Sequence, residues 1–102
     1  MSEKKNWVCT DYTAGAYKEL VGVPAKIETI IIGNPTGSTI VLSIQLATTA
    51  GVQRSLLVPS KSIVAGDSLT LDMLKMNVGR NDAIRVKGDI AGLHFTASGE
   101  ED

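Results

Sequence analysis

Between Ser38 and Thr48 the chain alternates: Ile40, Leu42, Ile44 and Leu46 fall on one parity, and Thr39, Ser43 and Gln45 on the other, with Val41 the exception. A pleated strand turns successive side chains to opposite faces, so this pattern predicts a strand with one apolar face and one wet face. On a helix the same residues would scatter around the cylinder. Thr39, Ile40 and Val41 are also β-branched, stiff at χ1 and better suited to a strand.

Shorter stretches repeat the pattern on both sides. Asn6 to Thr13 reads as a strand with Trp7, Cys9 and Asp11 on one side and Val8, Thr10 and Tyr12 on the other. Neither side is purely apolar, which suits a sheet edge or a strand resting on a neighbouring subunit. Tyr17 to Val23 is a short segment closed by Pro24, which biases Val23 toward an extended backbone. Ala25 to Gly33 contains Ile30, Ile31 and Ile32 in succession, a run that suggests cover on both faces. Gly33-Asn34-Pro35-Thr36-Gly37 is a turn, read as the tip of an antiparallel hairpin joining that strand to the alternating one.

Val52 to Pro59 is expected to stop at Pro59, which has no N–H for a ladder. Gly66-Asp67 is the next turn, and Ser68 to Leu71 resumes alternation through Leu69 and Leu71. Asp72 to Asn77, D-M-L-K-M-N, is read as an irregular crossover with about one turn of helix, because Asp72 suits a cap and Met73, Leu74 and Met76 favour helix. Ala83 to Lys87 sets Ile84 and Val86 against Arg85 and Lys87. Ala91 to Ser98 sets Leu93, Phe95 and Ala97 against His94, Thr96 and Ser98. Residues 1–5 and 99–102 are expected to be polar tails.

These elements make an all-β chain, with seven or eight short strands at roughly the 8–12-residue spacing of sandwiches and barrels. Links this short exclude parallel crossovers. The expected fold is a single antiparallel β-sandwich domain over 1–102, with jelly-roll-like or immunoglobulin-like connections. Ile40, Leu42, Ile44, Leu46, Ile84, Val86, Leu93 and Phe95 should point inward.

Composition sharpens this picture in three places. Aromatic residues are 4% of the 102, so a core must be built from aliphatic side chains, and the length suffices for one such core. The formal net charge of −1 supplies no field for nucleic-acid phosphates or anionic lipid, and neither partner is expected. No apolar run approaches the ~20 residues of a membrane-spanning helix. Met1-Ser2-Glu3-Lys4-Lys5-Asn6 leads into no apolar stretch of the leader type, so synthesis in a cytoplasm is expected.

Candidate chemistry is sparse. Cys9 is the single cysteine and has no second thiol for a disulfide or a zinc site. His94 is the single histidine and stands on a polar parity without a nucleophile elbow. Asp67, Asp72, Asp82 and Asp89 sit near turns, where aspartate is favoured by backbone geometry, and lack the spacing of a calcium loop. The glycine-rich turn at Gly33 lacks the Gly-Lys-Ser/Thr ending of a phosphate loop. Trp7, Tyr12, Tyr17 and Phe95 admit a stacking platform for sugars, although packing is the usual role of such rings. No catalytic residue, metal or cofactor is expected, and the chain reads as a non-enzyme. The strands holding Trp7, Val8 and Tyr12, and Leu57, carry more apolar surface than an isolated edge usually shows. These four residues are therefore the candidate interface of a homo-oligomer.

One resemblance adds to this reading. Tyr17-Lys18-Glu19-Leu20-Val21-Gly22-Val23-Pro24-Ala25 precedes a strand ending I-I-I-G-N-P. Then come R-S-L-L-V-P, V-A-G-D-S-L-T-L and N-V-G-R-N-D-A-I-R-V-K-G. This order resembles small β-sandwich virion proteins of tailed bacteriophages, whose final "G-D-x-I-x-V" strand appears here as Gly79-Arg80-Asn81-Asp82-Ala83-Ile84-Arg85-Val86. The resemblance implies a structural virion protein, foremost a capsid cement (decoration) protein on the capsid surface. Its implied partners are further copies of itself, a trimer being favoured, and the major capsid protein. A tail or head–tail connector component, or a small carbohydrate-binding sandwich, are the alternatives.

Overall fold

The computed structural model describes residues 3–102. It contains eight strands: β1 (Glu3–Cys9), β2 (Lys18–Val21), β3 (Ala25–Gly33), β4 (Ile40–Thr48), β5 (Gln53–Ile63), β6 (Ser68–Val78), β7 (Asp82–Gly88) and β8 (His94–Glu101). They form two four-stranded sheets, in the orders β1-β8-β3-β6 and β2-β7-β4-β5. All pairings are antiparallel, and they nest: β1 with β8, β2 with β7, β3 with β6, β4 with β5. The chain is thus one long hairpin rolled up on itself. That is the double Greek key of a jelly roll, and it decides between the two sandwich topologies that alternation alone leaves open.

The inward parities are as alternation predicts. Ile40, Leu42, Ile44, Ile84, Val86, Leu93 and Phe95 are fully buried, and Leu46 is half-buried against them. Ile27, Ile30, Ile32 and Ala97 complete the layer from the facing sheet. The isoleucine run is covered on one face only: Ile30 and Ile32 are buried while Ile31 is 46% exposed, as strict two-residue periodicity requires.

Neighbour relations differ more from expectation. The Gly33–Gly37 turn is no hairpin tip, because β3 and β4 lie in different sheets. Asn34 makes the crossing possible. Its side-chain amide donates to the Ser38 carbonyl (2.8 Å) and the Ile63 carbonyl (2.9 Å). Its Oδ1 accepts from the Thr36 N–H (3.1 Å) and hydroxyl (2.6 Å). Backbone bonds between Asn34 and Gly66 and Asp67 tie the same residue to the β5–β6 turn. One buried side chain therefore clamps both sheet-to-sheet turns at this end of the sandwich.

Pro59 does not end its strand. β5 continues to Ile63, and the ladder to β4 gains a residue where Leu42 pairs Lys61 but Ile44 pairs Val58. The missing N–H falls in that bulge, where no ladder bond is needed, and Ser43 Oγ donates to the Pro59 carbonyl at 2.7 Å. The segment from Asp72 to Asn77 is not a helical crossover either. It belongs to β6, interrupted by a bulge in which Met73, Leu74 and Lys75 stand against the single extra residue Glu28 of β3.

The ends of the chain also depart from expectation. Glu3 to Lys5 and Gly99 to Glu101 are paired ends of β1 and β8, not tails, while Met1 and Ser2 lie outside the described residues. An unbroken register and the Lys5–Glu101 ion pair at 2.7 Å hold them together. The hydrogen bond and charge of Glu101 raise the Lys5 pKa above its ordinary value. Gly99 is required here, because a β-carbon on it would collide with the Lys26 carbonyl oxygen.

Candidate assembly surface

Four strands end the two sheets: β1 and β6 in one, β2 and β5 in the other. An unpaired edge invites another strand, and proteins blunt such edges with shortness, proline or bulges. β2 has only four residues. β5 carries Pro59 and three register shifts. β6 carries its three-residue bulge. The seven residues of β1 pair β8 without a register shift, and its charges Glu3, Lys4 and Lys5 lie at its start, so from Asn6 to Cys9 it has no blocking device. It is the edge left open.

β1 also borders the outer face of its sheet. Following the registers across β1, β8, β3 and β6, Val8 stands beside Thr96, Ile31 and Thr70. The next outward row is Asn6, Ser98, Thr29 and Asp72, and the one after is Lys4, Glu100, Lys26 and Asn77. Val8 is 65% exposed and Ile31 46%, so this row alternates exposed aliphatic residues with threonines and is flanked by more polar rows. On the other sheet the outward polar groups are tied to their neighbours. Gln45 donates to Gln53 at 2.9 Å, Arg54 pairs Asp82 at 2.5 Å, and Lys87 lies over the Tyr17 ring at 4.7 Å.

The four candidate interface residues have different fates. Val8 alone is openly exposed. Trp7 and Leu57 are half-buried and pack against the core. Tyr12 is 4% exposed and offers no surface to a partner. It lies beyond the end of β1, where strict alternation no longer applies, and its ring meets Phe95 edge-on with centroids 5.7 Å apart. The Tyr12 hydroxyl donates to the Ile90 carbonyl (2.5 Å) and accepts from the Leu93 N–H (3.1 Å). It pins the β7–β8 loop to the core.

Burial pushes the Tyr12 pKa above its ordinary value, the charge of Asp89 adds to the rise, and the Leu93 N–H opposes it. An acid whose pKa is higher folded than unfolded holds its proton more tightly in the native state. Its contribution is complete below the unfolded value, near 10.0, and is lost as pH rises through the folded one. The stability advantage of wild type over Tyr12→Phe should therefore be constant at lower pH and shrink as pH rises above about 10. Paired denaturant titrations on both sides of that value measure it, and a difference constant throughout would refute the coupling.

The remaining candidates for chemistry serve structure. Burial raises the Cys9 pKa and keeps the thiol protonated and inward. His94 is exposed opposite Gly33. Asp67 accepts from the Ser68 N–H, Asp89 from the Val41 N–H, Asp72 from the Leu74 N–H, and Asp82 holds Arg54. Among the described residues no three histidine, cysteine, aspartate or glutamate side chains gather as a metal site.

Sequence reasoning missed the feature at the bulge of β6. Leu74 and Lys75 have φ of 51° and 60°, the left-handed region that residues with a β-carbon enter at a cost. Leu74 is 82% exposed. The N–H of Leu74 bonds Asp72 Oδ1 at 3.0 Å, which holds the turn. Beside it, Ile44, Leu57, Val58, Leu71, Asp72 and Met73 line a cleft of about 290 Å³ between the edges of β5 and β6. The available signal was an apolar pair between opposite charges, D-M-L-K, which periodicity assigns to helix or strand about equally. No known protein family matches this chain, and no characterised protein matches it.

Proposed function

We propose that this chain is a non-enzymatic structural protein of a tailed-bacteriophage virion, a cement (decoration) protein that binds the major capsid protein as a homo-oligomer on the capsid surface. The observation that carries the reading is the outer face of the β1-β8-β3-β6 sheet. There the exposed Val8 and Ile31 adjoin β1, whose half from Asn6 to Cys9 has no blocking device. A strand edge in water would gain from a charge or a bulge beside Val8; β1 keeps its charges at Glu3 to Lys5, while the other three edges are short, proline-bearing or bulged. The order of sequence motifs supports the same class, and the jelly-roll topology is shared by capsid domains.

The sugar-binding alternative loses its platform. Tyr12 and Phe95 are buried and Trp7 packs against the core, so three of the four rings it needs are not on a common exposed face. A structural role asks for no such rings and no acid–base pair.

The test is co-sedimentation with capsids assembled from the major capsid protein, with wild type beside Val8→Glu and Ile31→Glu. Both sites are exposed, so the folded state should survive. Placing a charge in an apolar contact should weaken binding at least ~10-fold. A wild-type protein that fails to sediment with capsids, or charged variants that bind as well as wild type, would overturn the reading. Binding to purified tails in place of capsids would move the proposed position to the tail.

A further inference from the structure

We infer that two copies of this chain pair edge to edge through the bulge of β6, each seating its Leu74 in the other's cleft between β5 and β6. The inference rests on the assembly reading above for its choice of partner, and it names the contact and its symmetry. Three observations carry it.

The first is the strained backbone. Two consecutive residues with β-carbons, Leu74 and Lys75, occupy the left-handed region, and such conformations persist where something offsets their cost. Asp72 Oδ1 maintains this one by accepting the Leu74 N–H. The result is a leucine side chain displayed to water, with 82% of its surface exposed, where a glycine or asparagine would serve the turn better. The second is the cleft beside the bulge, a recess of about 290 Å³ lined by Ile44, Leu57, Val58, Leu71 and Met73 together with Asp72. Five of its six lining residues are apolar.

The third is charge order. Residues 72 to 75 read Asp-Met-Leu-Lys. When two such segments run antiparallel about an axis between Met73 and Leu74, Leu74 meets the partner's Met73 and Lys75 meets the partner's Asp72. Every position then faces a complement: apolar against apolar, and cation against anion. A knob and a hole on the same strand make the contact isologous, so it closes as a two-fold dimer and leaves no free end. A three-fold ring would have to use surfaces elsewhere. Because the partner is reached through side chains at the bulge, no new ladder of backbone hydrogen bonds is required of β6.

Sedimentation equilibrium of the isolated chain tests the pairing, with circular dichroism confirming that each variant is folded. Leu74→Asp removes both knobs of a dimer and should weaken self-association about 100-fold or more. Leu74→Gly should also weaken association while raising the melting temperature of the dilute monomer, because glycine accepts the positive φ. Charge substitution that keeps the bulge separates this contact from a general effect on folding. Lys75→Glu opposes like charges across the axis and should be monomeric, and Asp72→Asn keeps an Oδ1 acceptor for the Leu74 N–H but loses the attraction and should associate weakly. Mixed in equal amounts the two restore one Lys75–Asp72 pair with no like charges opposed and should form heterodimers.

A wild type that stays monomeric, an unchanged dimer in Leu74→Asp, or an equal mixture of the two charge variants that stays monomeric would each overturn the pairing. A wild type that self-associates equally well with and without Leu74 sinks the β6 contact but leaves the capsid reading standing. Capsid co-sedimentation, read on the same proteins, decides that reading separately.

Discussion

Phe95→Ala is expected to destabilise the isolated domain by about 3–5 kcal/mol, the usual cost of deleting a buried aromatic ring. Phe95 has no exposed surface, and it sits at a convergence of both sheets and a loop. On β8 it pairs Cys9 of β1 and Ile32 of β3. Its ring receives the edge of Tyr12 at a 74° interplanar angle, an arrangement worth more than its buried area alone. The neighbouring Tyr12 ring is tethered through its hydroxyl to Ile90 and Leu93, so it cannot swing into the space. The cavity should persist, and the loop pinned by Tyr12 should loosen with it. A domain of this size has a total stability of about 5–15 kcal/mol, so the loss is a large share of it. Urea titration gives the number, and Phe95→Leu should recover most of the loss. A change below about 1 kcal/mol would mean that the core is not organised around this ring.

The second large effect is expected at a polar residue. Asn34→Ala should cost about 2–4 kcal/mol, because it leaves a buried carbonyl without its donor as well as removing bonds. The Ile63 carbonyl loses its 2.9 Å partner inside the protein, the Ser38 carbonyl keeps only the Thr36 hydroxyl, and both Thr36 donors lose Oδ1. Asp in the same place keeps the acceptor and loses both amide donors, so Asn34→Asp should be nearly as destabilising as Ala. The loss should appear as faster hydrogen exchange in both turns that Asn34 clamps, the one before β4 and the one before β6. Protection unchanged in the Gly66 turn would show that the two turns are held independently.

Asn34 also shows how far a sequence reading reaches. Its place in G-N-P-T-G identifies a turn from local chemistry alone. That the turn crosses between sheets depends on the Ile63 carbonyl, a partner 29 residues away along the chain. The same division runs through the fold. Which residues are buried was legible, because period-two alternation is a property of the backbone: Leu42, Ile44, Ile84, Val86 and Phe95 face inward wherever their strands are placed. Which strands are neighbours was not legible, because alternation carries no address. Only one pair of consecutive strands, β4 and β5, lies side by side, and every other link crosses to the opposite sheet.

The candidate surface divides in the same way. Val8 was visible as an apolar residue on a mixed strand. Tyr12 shared its parity on paper but lies past the end of β1, and a hydroxyl bonded to Ile90 and Leu93 draws it into the core. Ile31 looked interior because it stands between two isoleucines, and its exposure follows from the β1-β8-β3-β6 sheet having a single inner face. Leu74 looked helical because Met, Leu and Lys have good helix propensity. Pairing with β3 on one side forces those residues into a sheet edge instead, and the surplus of two residues, three against the single Glu28, ejects Leu74 into solvent. Sequence by itself therefore determined the class of fold, the inward face of the alternating strands and the position of the turns, all of which are set within a few residues. Tertiary structure decided sheet order, the paired chain ends and the exposed leucine, because each depends on hydrogen bonds between residues far apart in the chain.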